Sequence, residues 1–409
     1  MSRQEMEEVK RTPENPSYRF AQRMEKTPRS FIREILKVTE RPEIISFAGG
    51  LPNPALFDTT GIAAAAEHVL RNNGRRALQY APTEGDYDLR AFIADRYRKR
   101  FNVKIPPEEI LITNGSQQCL DLVGKVLINP GDRIAIERPG YLGAIQAFSL
   151  YEPEFLGVPL DDAGPDMDVL AGETDTGKVP LMYGIPNSQN PSGITYTEQR
   201  RRDLAGIFRK NGTIFVEDDA YGELTFSGPS FPPVCKYLPE QTILTGSFSK
   251  ILAPGMRLGW ICAPSPIMEK IVIAKQASDL HSNFLSQQIA LRYLQDNDID
   301  DHIRRICEVY GRQCSFMLEM IESEFPEGVR FTRPRGGMFT WVTLPDGCFS
   351  MDVFQAALKE NVAVLPGIPF YVDGGGKDTL RLNFSNSSEE RIRAGISRLG
   401  NVLTVLCNQ

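Results

Sequence analysis

The stretch ILTGSFSKILAPGMRLGWICA (243–263) sets two apolar runs, ILTGS (243–247) and LGWICA (258–263), on either side of a turn that carries Lys250 and Arg257. Short apolar runs bounded by Gly and Pro read as buried strands. The same pattern recurs at EILIT (109–113), DRIAIE (132–137), VPLMYGI (179–185) and TIFVED (213–218). Between several of them lie helix-like stretches such as SQQCLDLVGKVLI and TEQRRRDLAGIFRKN, the second opening with Thr197 as an N-cap. Apolar strands alternating with helices specify an α/β fold with a mostly parallel sheet covered on both faces.

Outward from this core the pattern changes. Residues 300–409 read as a long helix, DHIRRICEVYGRQCSFMLEMIESEF, then short strands in GVRFTR, GGMFTWVTL and TLRLNFS, and a last helix, SEERIRAGISRLGNVLTVL. That is a smaller α+β domain. The expected division is an N-terminal arm and small-domain segment at 1–58, a large domain at 59–299 and a C-terminal small domain at 300–409. A chain of 409 residues suits a large domain plus a smaller one.

Composition narrows the function. A net charge of −6 argues against a nucleic-acid partner, and no run is long enough for a membrane helix. The start is charged and lacks the apolar centre of a signal peptide. Seven scattered cysteines, odd in number and without a CxxC pair, read as reduced thiols of a cytoplasmic protein and not as a zinc site. No metal is expected. Three unclustered histidines make histidine-based catalysis improbable.

In open α/β sheets ligands bind beyond the carboxyl ends of the strands. The chemically unusual residues fall there. TNGSQQ follows EILIT, so Ser116 and Gln117 open a helix whose free N–H groups suit an anion. RPGY follows DRIAIE and brings in Tyr141, while PNSQNPSG follows VPLMYGI and brings in Asn187 and Asn190. EDDAY offers Asp218 and Asp219 at an apolar strand end, with Tyr221 beyond. Ser247 closes the next strand, and Lys250 and Arg257 follow in a poorly solvated turn that lowers an amine pKa and makes it nucleophilic. Taken singly, each has a plainer reading as a helix cap, a turn residue or a surface ion pair. Together they could hold an aromatic aldehyde phosphate, which is the chemistry of pyridoxal phosphate (PLP).

NPSG (190–193), EDDAY (217–221) and SFSKILAPGMRLGW (247–260) resemble the motifs of the class I/II, fold-type-I PLP-dependent aminotransferases. FIREILKVTERPEIISFAGGLPNPALF (31–57), LQYAPTEG (78–85) and TNGSQQ are similar to the 2-aminoadipate/kynurenine and multisubstrate aromatic members. The resemblance implies an aspartate-aminotransferase-like large domain with a mostly parallel seven-stranded sheet. It implies that Lys250 captures the coenzyme aldehyde and moves the substrate α-proton, and that Asp218 pairs with the pyridine nitrogen. The interval of 28 residues from Asn190 and of three to Tyr221 selects Asp218 over Asp219.

Asn190 and Tyr221 correspond to the pair on the phenolic oxygen, and Tyr141 to the stacking aromatic. Ser116, Gln117, Ser247 and Arg257 correspond to the phosphate cup. Arg381, in LRLNFS, is similar to the arginine that grips the substrate α-carboxylate, and Gly50 would sit beside the substrate. Tyr80 resembles the tyrosine that reaches the partner subunit's phosphate, which implies a homodimer with shared active sites. Arg33 matches an arginine that meets a distal substrate carboxylate. The implied reaction is ping-pong transfer of the amino group of an aromatic, 2-aminoadipate or other large α-amino acid to 2-oxoglutarate. Other PLP reactions, such as a β-lyase or decarboxylase, are the alternative. A transcription regulator built on this fold is a remoter one, since it needs an N-terminal DNA-binding module.

Overall fold

The protein is described from a computed structural model covering residues 18–26, 41–174 and 179–407. A short strand, β1 (Ile45–Ser46), comes first. The large sheet then contains β2 (Ile110–Thr113), β3 (Arg133–Arg138), β4 (Glu154–Asp161), β5 (Gly164–Pro165), β6 (Leu181–Gly184), β7 (Ile214–Asp218), β8 (Thr242–Ser247) and β9 (Gly259–Cys262). Their order across the sheet is β2-β9-β8-β7-β6-β3-β4-β5. From β8 to β4 neighbouring strands are parallel, β9 runs antiparallel to β8 and β2, and β5 runs antiparallel to β4.

Alternation along the strands explains the two covered faces. Ile134, Ile136, Tyr183 and Val216 enter the main core, while Ala135, Met182 and Phe215 enter a second core with Leu204 and Phe208 of the helix Glu198–Asn211. Thr197 caps that helix as expected, its hydroxyl accepting from the Arg200 N–H at 3.2 Å.

Seven substantial strands are present, and the two-residue β5 adds an eighth at the edge. The strand β4 was not visible as an apolar run. Its sequence EFLGVPLD buries only Val158 fully, and glycine and proline interrupt it near the sheet edge.

The C-terminal part forms a second layer. The strands β10 (Arg330–Phe331), β11 (Phe339–Thr343), β13 (Leu365–Pro366) and β14 (Thr379–Asn383) make an antiparallel sheet in the order β10-β11-β14-β13. The remaining strand, β12 (Val362–Ala363), pairs in parallel with β1, so the N-terminal segment joins this layer. The helices Ile299–Glu324 and Glu389–Cys407 pack together, and a Cβ on Gly400 would lie 2.4 Å from the Glu324 carbonyl oxygen. That approach requires glycine.

The thiol reading needs correction at one pair. Cys348 and Cys407 are disulfide-bonded, with Cα atoms 5.2 Å apart, while Cys119, Cys235, Cys262, Cys307 and Cys314 are free. A separation of 59 residues hid the pair, because only the packing of the last helix brings Cys407 back. Among the described residues no helix is long and apolar enough to cross a membrane, and no group of His, Cys, Asp and Glu could hold a metal.

Candidate active site

One cavity of about 280 Å³ lies at the carboxyl ends of the parallel strands. Around it the fold gathers Ser116 and Gln117 after β2, Tyr141 after β3, Asn190 after β6, Asp218 and Tyr221 from β7 onward, and Ser247, Lys250 and Arg257 after β8. The second layer supplies Gly50, Phe339 and Arg381. Eleven expected site residues, spread from Gly50 to Arg381, therefore line one space.

Asp218 forms its floor. Its side chain is buried, and Oδ2 accepts a hydrogen bond from the Tyr183 hydroxyl at 2.8 Å. Oδ1 has no protein partner. Burial lifts its pKa to about 6, against the lowering effect of the Tyr183 bond. The neighbouring Asp219 turns elsewhere: Oδ1 accepts from Asn187 Nδ2 at 2.7 Å, and Asn187 Oδ1 accepts from the buried Arg201 at 2.7 Å. Asn187 and Asp219 thus brace the loop, leaving Asn190 and Asp218 for the cavity.

A buried network aims Asn190. Glu137 accepts from the Ile185 N–H at 2.9 Å, from Gln189 Nε2 at 3.0 Å and from the Tyr196 hydroxyl. Gln189 Nε2 also donates to the Pro139 carbonyl at 2.8 Å, and its Oε1 accepts from the Ser192 N–H at 2.7 Å. The turns bearing Tyr141 and Asn190 are thereby locked to each other. Asn190 Nδ2 lies 3.5 Å from the Tyr221 hydroxyl oxygen, and burial raises the Tyr141 pKa to about 12.

Lys250 Nζ donates to the Gly50 carbonyl at 2.9 Å. Burial, then Arg381 and Arg257, lowers its pKa to about 8. Arg381 is buried, with its guanidinium carbon 4.2 Å from the Phe339 ring centroid and 5.3 Å from that of Phe370. It donates to Asn190 Oδ1 at 2.9 Å and to the Ala48 carbonyl at 2.6 Å, and its Nε has no partner. Burial lowers its pKa to about 10, so it stays cationic near neutrality.

At the other end, Gly115 takes the N-cap position of the helix Ser116–Leu127 with φ +76° and no capping side chain. A Cβ there would lie 2.7 Å from Arg257 Nη2. Arg257 itself has φ +53°, which turns the chain so that its side chain returns past Gly115, donating to the Asn114 carbonyl at 3.2 Å. Ser247 Oγ accepts from the Ser249 N–H at 3.1 Å. Helix-terminal N–H groups, hydroxyls and a guanidinium together suit an anion.

Tyr80 lies outside this cavity. It is 79 % exposed, with its ring edge-on to His281 at 5.8 Å between centroids. Arg33 and its expected helix fall outside the described residues. Sequence reasoning missed Tyr183 and Phe339. The tyrosine is the only hydroxyl in VPLMYGI, a signal that pointed to a buried partner, whereas Phe339 looked like any strand phenylalanine.

Residues 53–399 match the family described as Aminotransferase class I and II. The chain is similar to the aromatic-amino-acid aminotransferase 1 of Thermococcus litoralis, with 44 % identity over 91 % of each chain. It is equally similar to the 2-aminoadipate transaminase of Thermus thermophilus, with 44 % identity over 91 % of this chain and 94 % of that one. Among solved structures, it resembles an alpha-aminoadipate aminotransferase from Thermus thermophilus complexed with N-(5'-phosphopyridoxyl)-L-leucine. That match has 42 % identity, a TM-score of 0.88, and coverage of 95 % of this chain and 97 % of that one.

Proposed function

The chain belongs to the class I and II aminotransferases, and from that premise we propose that it transfers the amino group of an aromatic, 2-aminoadipate or similarly large α-amino acid to 2-oxoglutarate by a ping-pong cycle. It is a PLP-dependent transaminase. The residues fit that coenzyme: a buried, unpaired carboxylate oxygen at one end of the cavity suits a protonated ring nitrogen, and the anion-binding turn at the other suits a phosphate. When bound, PLP takes up the electron pair left on the substrate Cα as its proton departs.

With PLP bound, Asp218 Oδ1 would hold the proton of the ring nitrogen. Its pKa of about 6 leaves it ionised near neutrality, and the Tyr183 bond supports that charge. Asn190 and Tyr221 would hold the phenolic oxygen, Tyr141 would cover the ring face, and Ser116, Gln117, Ser247 and Arg257 would bind the phosphate. Lys250 Nζ, with its pKa lowered to about 8, gives up its proton readily and serves as base and acid at the substrate Cα. Arg381 binds the α-carboxylate, and its unpaired Nε offers a donor beyond the two already engaged. The stacked rings of Phe339 and Phe370 hold its plane.

The donor class rests on the relatives' names and on the apolar wall of Ile185, Ala220 and Phe339. Arg33, outside the described residues, would recognise the distal carboxylate of 2-oxoglutarate or glutamate. The working unit is a homodimer in which Tyr80 reaches the partner subunit's phosphate; its 79 % exposure beside the exposed Leu78 supports this.

The observation that carries the reading is the meeting of Lys250 and the unpaired Asp218 oxygen in one cavity. It is tested by assaying a panel of amino donors with 2-oxoglutarate. Oxo-acid-dependent transfer from aromatic amino acids or 2-aminoadipate is expected. Release of pyruvate and ammonia without an acceptor would refute it.

A further inference from the structure

Asp279 is the last residue of the helix Ser265–Asp279. A carboxylate there meets the negative end of the helix dipole, a position that disfavours it. The structure surrounds it with compensating donors. Lys275, one turn earlier with its side chain fully buried, donates to Oδ1 at 2.5 Å. Oδ2 accepts from Asn114 Nδ2 at 2.6 Å and from Gln118 Nε2 at 2.7 Å.

Both carboxamides belong to the turn that leads from β2 into the anion-binding helix. Gln118 Oε1 in turn accepts from the Asn114 N–H at 2.9 Å, and the Asn114 carbonyl accepts from Arg257 at 3.2 Å. Asp279 therefore grips both flanks of Gly115, Ser116 and Gln117 without lining the cavity. Two of its three donors, Asn114 and Gln118, come from that remote turn, which cannot shift without breaking charge-assisted bonds.

We propose that Asp279 is a positioning residue that fixes the turn Asn114–Gln118, and thereby sets the chain's preference for the phosphorylated coenzyme over pyridoxal. The proposal rests on the reading of Ser116, Gln117 and Arg257 as the phosphate site. A rigid turn presents its N–H groups and Arg257 already aligned; a loosened one must be ordered at the expense of binding. The phosphate end is affected first, because Lys250 and Asp218 are held by other contacts.

The test titrates the full-length apoenzyme with PLP and, separately, with pyridoxal, following the visible absorbance of the bound coenzyme. In Asp279→Ala the Kd for PLP is expected to rise on the order of tenfold, the loss of hydrogen bonds to a charged group. The Kd for pyridoxal should stay within about twofold, the scatter of uncoupled sites. The double variant Asn114→Ala/Gln118→Leu keeps the Asp279–Lys275 pair and should show the same selective loss, which covers the case in which Asp279→Ala does not fold. An unchanged ratio of the two affinities, whether neither moves or both weaken equally, overturns the proposal. A wild-type chain that binds PLP no better than pyridoxal overturns the phosphate-site reading as well, and so separates the two failures.

Discussion

The hydroxyl of Tyr183 donates to Asp218 Oδ2 at 2.8 Å and leaves Oδ1 as the only unpaired oxygen of a buried carboxylate. One strand, β6, thus prepares the acid that the next strand, β7, presents. Tyr183→Phe removes a bond that lowers the Asp218 pKa. The acidic limb of kcat/KM should then move upward from about pH 6, with a loss of roughly threefold to tenfold near neutrality. A pH–rate profile of the variant, compared with wild type, checks the direction; a limb that stays put would remove Tyr183 from the mechanism.

Lys250→Ala should lower kcat on the order of 10²–10⁴-fold or more, since among the described residues no other amine lines the cavity. Its pH signature is more telling. Burial is the largest cause of its lowered pKa and Arg381 the next, so reactivity of the apoenzyme amine should rise with pH through about 8. Arg381→Gln removes a positive neighbour, raises that pKa and shifts the rise to higher pH, as measured by pyridoxal condensation without substrate.

Arg381→Lys keeps a charge but loses the planar fork that lies against the rings of Phe339 and Phe370. KM for amino donors is expected to rise on the order of tenfold to a hundredfold. Steady-state kinetics with two donors of different side chain should show the same factor for both, because the carboxylate is common to them.

Thiol titration of the unfolded, unreduced chain should count five free cysteines and, after reduction, seven. Cys407→Ser should lower stability by about 2–4 kcal/mol in denaturant unfolding. The transaminase rate should not change, because the bond lies outside the cavity lining.

Much of this architecture was legible because the parallel strands are buried on both faces and so spell continuous apolar runs. The residues after them then fell at one edge by topology alone. The strand β4 escaped because it is half-exposed and carries Gly157 and Pro159. The choice between Asp218 and Asp219 could be made from the spacing of a family motif; its physical reason, the capture of Asp219 by Asn187, is a long-range contact that no local pattern displays. Asp279 was silent and Tyr183 gave only its hydroxyl as a signal, since each acts through a neighbour brought up by the fold. The disulfide depended on where the last helix comes to rest.

The carbonyl groups of Ala48 and Gly50, two residues apart, hold the guanidinium of Arg381 and the amine of Lys250. An incoming carboxylate therefore meets an Arg381 with one terminal nitrogen on the Ala48 carbonyl, one on Asn190, and Nε still available. Binding becomes in part a barter of partners, with net affinity below what the same guanidinium would give if bare. The Ala48 carbonyl acts as a resident understudy for the substrate carboxylate. It damps tight binding of arriving and departing amino acids alike, which suits an enzyme that must release one acid before it can accept the next.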